Sequence, residues 1–198
     1  MKKLILFLIL VIALSGCQAS DLFSKFTKQD ADQDESRITL ENSYQEASGE
    51  YTIKYPANWI FEDARENTVV FSGEKETETY QTIIKVQKYT RPEDLDMPES
   101  MDKLLNSLQR STLFQSEKAK FDDEKIYIYQ STGLELEGKE LMVEFISKDG
   151  KHFKERMIIV PDPDGNSLYY WGYNAPLDLY DNYLNIAESM LDSWQITP

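Results

Sequence analysis

One apolar run stands apart from the rest of the chain: Leu4 to Leu14, eleven residues without a polar interruption. Beyond residue 50 the apolar positions recur instead with the periods of folded structure. Tyr51, Ile53 and Tyr55 alternate with Thr52 and Lys54, which is the pattern of a half-buried strand, and Pro56 ends it. Residues 68–71 and 80–89 read as further strands, the second placing Thr82, Ile84 and Val86 on one face and Ile83, Lys85 and Gln87 on the other. A helix is predicted to open at Asp96, with Glu99 completing a capping box and Pro98 confined to the first turn; Met101, Leu104, Leu105 and Leu108 share one face. Strands follow at 125–134, 139–147, 152–160 and 167–173, with Glu137-Gly138 and Asp149-Gly150 as the two-residue turns between antiparallel neighbours. Within them, "MIIV" and "LYYW" are apolar on both faces, so the sheet is expected to be covered on both sides. A last helix begins at Pro176 and carries Leu179, Tyr183, Ile186, Met190 and Trp194 as its apolar stripe.

The first run means something different. Eleven apolar residues are too few for a membrane-crossing helix, which needs about 20, but they fit the hydrophobic segment of a secretory signal behind Lys2 and Lys3. The run ends in "LSGC", where Cys17 is the only cysteine of the chain. A solitary thiol makes no intramolecular disulfide, and elsewhere it would read as an ordinary free cysteine. Here "LSGC" resembles the lipobox of bacterial lipoproteins, which implies cleavage before Cys17 and diacylglycerol on its sulfur. Two or three acyl chains on one residue hold a protein stably to a membrane, where a single chain is marginal. The mature chain would then be free of cysteine, and disulfides, thiolate metal sites and thiol catalysis drop out.

Charge narrows the partners. The chain carries 35 acidic against 21 basic side chains, a net −14 that becomes −16 once Lys2 and Lys3 leave with the signal. Such a surface repels nucleic acid and anionic headgroups as a whole. Residues 18–50 concentrate acids, with "KQDADQDES" at 28–36, and show no sustained hydrophobic period; they read as a tether with a root-mean-square span of about 30 Å.

Chemistry is sparse. His152 is the sole histidine, so a Ser-His-Asp arrangement would have to use it and a multi-histidine metal site has no second imidazole to draw on. In "PDPDGNS", Asp162, Asp164 and Asn166 alternate as oxygen donors suited to calcium. However, the glycine falls fourth in the run and no glutamate follows at the spacing of an EF-hand loop, so turn chemistry is the favoured reading. Acids at 121–125 and Glu135, Glu137 and Glu140 sit at strand ends, where solvated carboxylates are the ordinary case. Tyr169, Trp171 and Tyr173 share a strand face. Exposed, they would suit sugar or peptide stacking; with the final helix available to cover them, they read as core. Trp59 reads as a plug at one end of the sheet.

"YTIKYPANW" at 51–59 and "YLNIAESMLDSWQI" at 183–196, with the order of strands and helices between them, resemble the PsbP family of extrinsic photosystem II proteins and related bacterial lipoproteins, including those of DcrB type. The resemblance implies an α+β fold, a three-layer α/β/α sandwich around a central antiparallel sheet, and a domain that binds or assists assembly without chemistry of its own. It carries no catalytic or metal-ligating residue onto this chain.

The sequence therefore predicts a signal peptide at 1–16, a lipidated Cys17 with an acidic tether to 50, and a PsbP-like domain at 51–198. The expected role is that of a non-enzymatic binding or assembly factor on the extracytoplasmic side of a membrane, held there through Cys17 and serving a protein partner. No nucleic acid, cofactor, metal or catalytic residue is expected. The alternatives are a ligand-binding lipoprotein for a glycan or calcium, and a lipoprotein hydrolase.

Overall fold

A computed structural model describes residues 39–64, 67–131 and 133–197, so Cys17 and the apolar run lie outside the described residues. The described residues open with β1 (Asn42–Gln45), which pairs antiparallel with β2 (Tyr51–Tyr55). The folded region thus begins ahead of residue 51. Its entry strand was hidden in the acidic stretch because only Tyr44 of β1 turns an aromatic ring inward, against Tyr51, Phe61 and Phe71.

The main sheet is antiparallel throughout. Its order is β3 (Trp59–Ala64), β4 (Thr68–Gly73), β5 (Ile83–Thr90), β10 (Ser167–Pro176), β9 (His152–Pro161), β8 (Leu134–Ser147) and β6 (Ser116–Phe121), with β7 (Lys125–Ser131) pairing with β8 next to β6. A one-turn 3₁₀ helix (Glu78–Gln81) joins β4 to β5. Two helices complete the fold: α1 (Met97–Gln115) precedes β6, and α2 (Leu177–Ser193) follows β10 directly. β11 (Gln195–Ile196) then pairs with β2, giving a second sheet of order β1-β2-β11.

The start of α1 follows from its sequence. The Asp96 carboxylate accepts the Glu99 N–H at 2.9 Å, and the Glu99 carboxylate accepts the Asp96 N–H at 3.4 Å, so two otherwise orphaned donors are satisfied reciprocally. Lys139 of β8 ties the helix to the sheet through Asp102, with Glu124 on its other side.

One expectation needs correction. The turn expected at Glu137-Gly138 lies instead at Gly133, whose φ of +78° few side chains tolerate, and β8 runs unbroken through Gly138. Gly138 serves close approach: a Cβ there would stand 2.2 Å from the backbone oxygen of Ile159. In α2 the anticipated stripe holds at Met190 and Trp194, which are buried, and at Tyr183 and Ile186, which lie half-buried at its margin, while Tyr180, Ala187 and Leu191 complete the buried face. The Asp149-Gly150 turn forms as expected, with Gly150 at φ +81°.

Alternate residues of the central strands feed separate cores. Met157 and Ile159 of β9 pack with Leu141, Leu168, Tyr170 and, from α1, Met101 and Leu105. Ile158 and Val160 join Tyr169, Trp171, Tyr173, the buried face of α2 and the small sheet. The aromatic trio of β10 is fully buried, as is Trp59, which starts β3 opposite Gly73. Trp194 sits at the hub, 5.4 Å from the Tyr129 ring and 5.9 Å from that of Tyr169.

Candidate functional site

The residues singled out as candidate chemistry do not converge. Asp162 is buried and paired with Lys88 at 3.3 Å, while Lys88 also meets Glu50 at 2.7 Å. Asp164 turns both carboxylate oxygens back to Asn166, accepting its N–H at 2.8 Å and its side-chain amide at 3.0 Å. Asp162 is thereby committed to Lys88 and Asp164 to Asn166, within a turn that Gly165 closes. Among the described residues no group of three His, Cys, Asp or Glu side chains could hold a metal ion. His152 is exposed at the start of β9. Of the acids, Glu140 pairs with Arg156 at 2.8 Å, Glu124 with Lys139, and Glu135 accepts from Gln130.

The sheet instead presents a cleft of about 410 Å³ beside the C-terminal half of α1. Leu108 and Thr112 of the helix wall one side; Ile83, Phe145, Phe153 and Met157 supply apolar floor. Three polar groups from three strands meet there: Lys85 of β5, Glu155 of β9 and Asn174 of β10. Each is half-buried on a central strand, where an unpaired charge is costly. The Tyr170 hydroxyl donates to the Glu155 carboxylate at 2.6 Å. Burial pushes the Glu155 carboxyl above the usual carboxylate range, opposed by the Tyr170 hydrogen bond, the Lys85 charge and Asn174. Burial likewise drives the Tyr170 phenol well above its ordinary value, with the neighbouring carboxylate adding to it. The Lys85 ammonium stands 5.3 Å from the centre of the Tyr170 ring.

Gly172 makes this arrangement possible. A Cβ at that position would fall 2.0 Å from the Tyr170 hydroxyl oxygen, so the phenol lies over bare backbone to reach Glu155. Gly172→Ala is accordingly expected to expel the Tyr170 ring and cost about 1–3 kcal/mol, read as a lower urea midpoint with the slope unchanged. An unchanged midpoint would mean the ring has another place to sit.

Chemically, the cleft offers hydrogen-bond donors, a half-buried carboxyl and apolar walls. The sequence signal for it was a polar residue within each of three strands, and it becomes legible only when their register is known.

Elsewhere, no helix among the described residues is long and apolar enough to cross a membrane. Residues 1–18 match the model of the prokaryotic membrane lipoprotein lipid attachment site. No curated protein matches the chain. Among solved structures, the fold is similar to that of the cyanobacterial PsbP protein CyanoP from Synechocystis sp. PCC 6803, at 14% identity and a TM-score of 0.54, covering 79% of this chain and 92% of that one. It is similar also to LpqN of Mycobacterium tuberculosis, a protein involved in cell envelope biogenesis, at 14% identity, TM-score 0.54, and 75% and 83% coverage. The Ran-binding protein Mog1p of Saccharomyces cerevisiae matches at 14% identity, TM-score 0.52, and 78% and 94% coverage. Identities this low speak for the fold alone. The chain is a membrane lipoprotein by its attachment site, and its folded region has the α+β, largely antiparallel architecture of PsbP-like domains.

Proposed function

We propose that Cys17 is the lipidated residue, that cleavage before it removes residues 1–16, and that the following segment links the anchor to a non-enzymatic binding domain on the extracytoplasmic side. The domain works by contact, as a binding or assembly factor for a protein partner. The observation that carries this reading is the attachment site at 1–18, which ends around the one cysteine of the sequence. Two separate apolar cores support a three-layer reading of the domain, with α1 on one face of the main sheet and α2 with the small sheet on the other. The separate ion pairs of Glu124 and Glu140 and the hydrogen bond of Glu135 favour this reading over a hydrolase.

A palmitate analogue is expected to label the parent protein and to leave Cys17→Ala unlabelled, with the variant recovered in the soluble fraction. Label in both proteins would overturn the anchor.

The cleft beside α1 favours a second reading, a ligand-binding lipoprotein for a glycan or calcium. Calorimetric titration with calcium and with cell-wall fragments separates the two: heat of binding selects the ligand reading, and silence with both leaves the protein partner.

A further inference from the structure

The main sheet ends on one side at β3, and nothing described covers that edge. Ile60 to Ala64 are all exposed, and apart from their pairing with β4 they make no backbone hydrogen bond among the described residues. A strand in this state presents alternate N–H and C=O groups outward, ready to pair with another chain. The edge is also patterned. Ile60 and Phe61 are 46% and 43% exposed, one on each face, and Glu62 and Asp63 follow them, again one on each face. Ile60 and Glu62 look toward the open side of the sheet, where Glu62 lines a second cavity with Val70 and Ser72. Phe61 and Asp63 look toward β1, where Tyr44 packs 5.0 Å from the Phe61 ring and donates to Asp63 at 2.7 Å.

A second copy of this chain fits that edge poorly. Antiparallel self-pairing centred between Phe61 and Glu62 would set Glu62 against Phe61 and Asp63 against Ile60, crowding four carboxylates onto one short ladder. The chain's net charge of −14 adds to the repulsion.

We infer that β3 receives an extended segment of a partner protein, paired antiparallel, whose sequence reads two basic residues followed by two apolar ones. In that register the basic pair lies opposite Asp63 and Glu62, and the apolar pair opposite Phe61 and Ile60. Backbone hydrogen bonds hold the segment and the side-chain order selects it. The inference gives a chemistry to the protein partner proposed above and rests on that reading, yet its test does not involve Cys17.

The test uses the full chain in detergent micelles and a fluorescein-labelled peptide, Thr-Val-Arg-Lys-Val-Ile-Val-Thr, with a control in which Glu-Glu replaces Arg-Lys. Polarisation should rise saturably with the basic peptide, with affinity about fivefold or more above the control. Amide exchange should slow at 60–64 and stay unchanged along β7, the strand at the other side of the sheet. Glu62→Lys should weaken the basic peptide about fivefold and improve the acidic one. Equal binding of both peptides, protection elsewhere, or no binding would overturn the assignment while leaving the anchor untouched. Concentration-dependent dimers that slow exchange at 60–64 in the absence of peptide would overturn it in favour of self-pairing.

Discussion

Trp194→Ala is expected to be among the most damaging single substitutions in the domain, with a loss of about 3–5 kcal/mol. The indole is 1% exposed and packs edge-on against Tyr51, Tyr129 and Tyr169, which come from both sheets. Truncation opens a cavity whose walls cannot collapse, because the main chain around it is pinned. The Tyr129 hydroxyl donates to the Trp194 carbonyl at 2.9 Å and accepts the Ile196 N–H at 2.8 Å. For a domain of this size the loss corresponds to a fall of about 6–20 °C in melting temperature, measurable by circular dichroism. Trp194→Phe should cost much less. It keeps an aromatic ring in place and deletes a buried indole N–H that finds no hydrogen-bond partner among the described residues. A melting temperature for the alanine variant within about 2 °C of the parent would show that Trp194 is not the hub its contacts describe.

Gly138→Ala is the second. Its added Cβ would meet the Ile159 backbone oxygen at 2.2 Å and the Val160 side chain at 2.9 Å. A backbone oxygen in the middle of a sheet cannot rotate away as a side chain can. The β8–β9 ladder, which pairs Lys139 with Ile159, must therefore part locally or shift. The expected cost is about 3 kcal/mol, and amide exchange should rise first around Gly138 and Ile159 in both strands. Gly133→Ala makes the informative comparison. Nothing lies within 4 Å of a Cβ there, so its penalty is confined to the φ of +78°. If both alanines cost the same, backbone conformation and not close approach is what demands glycine at 138.

These two glycines show how the sequence misleads. Both follow a polar or small residue between alternating strands, and turn chemistry is the ordinary reading of either. One is a turn and the other a contact between backbones, which involves a partner strand about 20 residues away. Local rules succeeded where the determinants were local: the Asp96–Glu99 capping box, the Asp149-Gly150 hairpin and the alternation of Ile84 and Val86 with Lys85. They failed at the sheet margins. β3 is exposed beyond Trp59 and β6 buries none of its side chains fully, so neither alternates strongly enough to read as a strand. The α2 stripe was legible only in part because Tyr180 and Tyr183 are equally apolar in sequence, whereas in the fold the Tyr173 ring lies 4.7 Å from that of Tyr180 and its hydroxyl donates to the Tyr180 carbonyl. The cleft was the least legible feature. Glu155, Lys85 and Asn174 are ordinary polar residues until three strands fall into register.

The pairing of β11 with β2 has a kinetic consequence. Ile196 sits opposite Tyr51, so the two halves of one ladder are separated by nearly the whole folded region. Contacts this distant along the chain are slow to form, since loop closure must precede any reward. A polypeptide that emerges from its amino end therefore holds Tyr51, Ile53 and Tyr55 ready, without their final neighbour, until Trp194 and Ile196 arrive. During that interval the greasy side of β2 is the part most in need of a chaperone's shelter, and a stalled chain lacking those two residues would be a target for quality-control proteases.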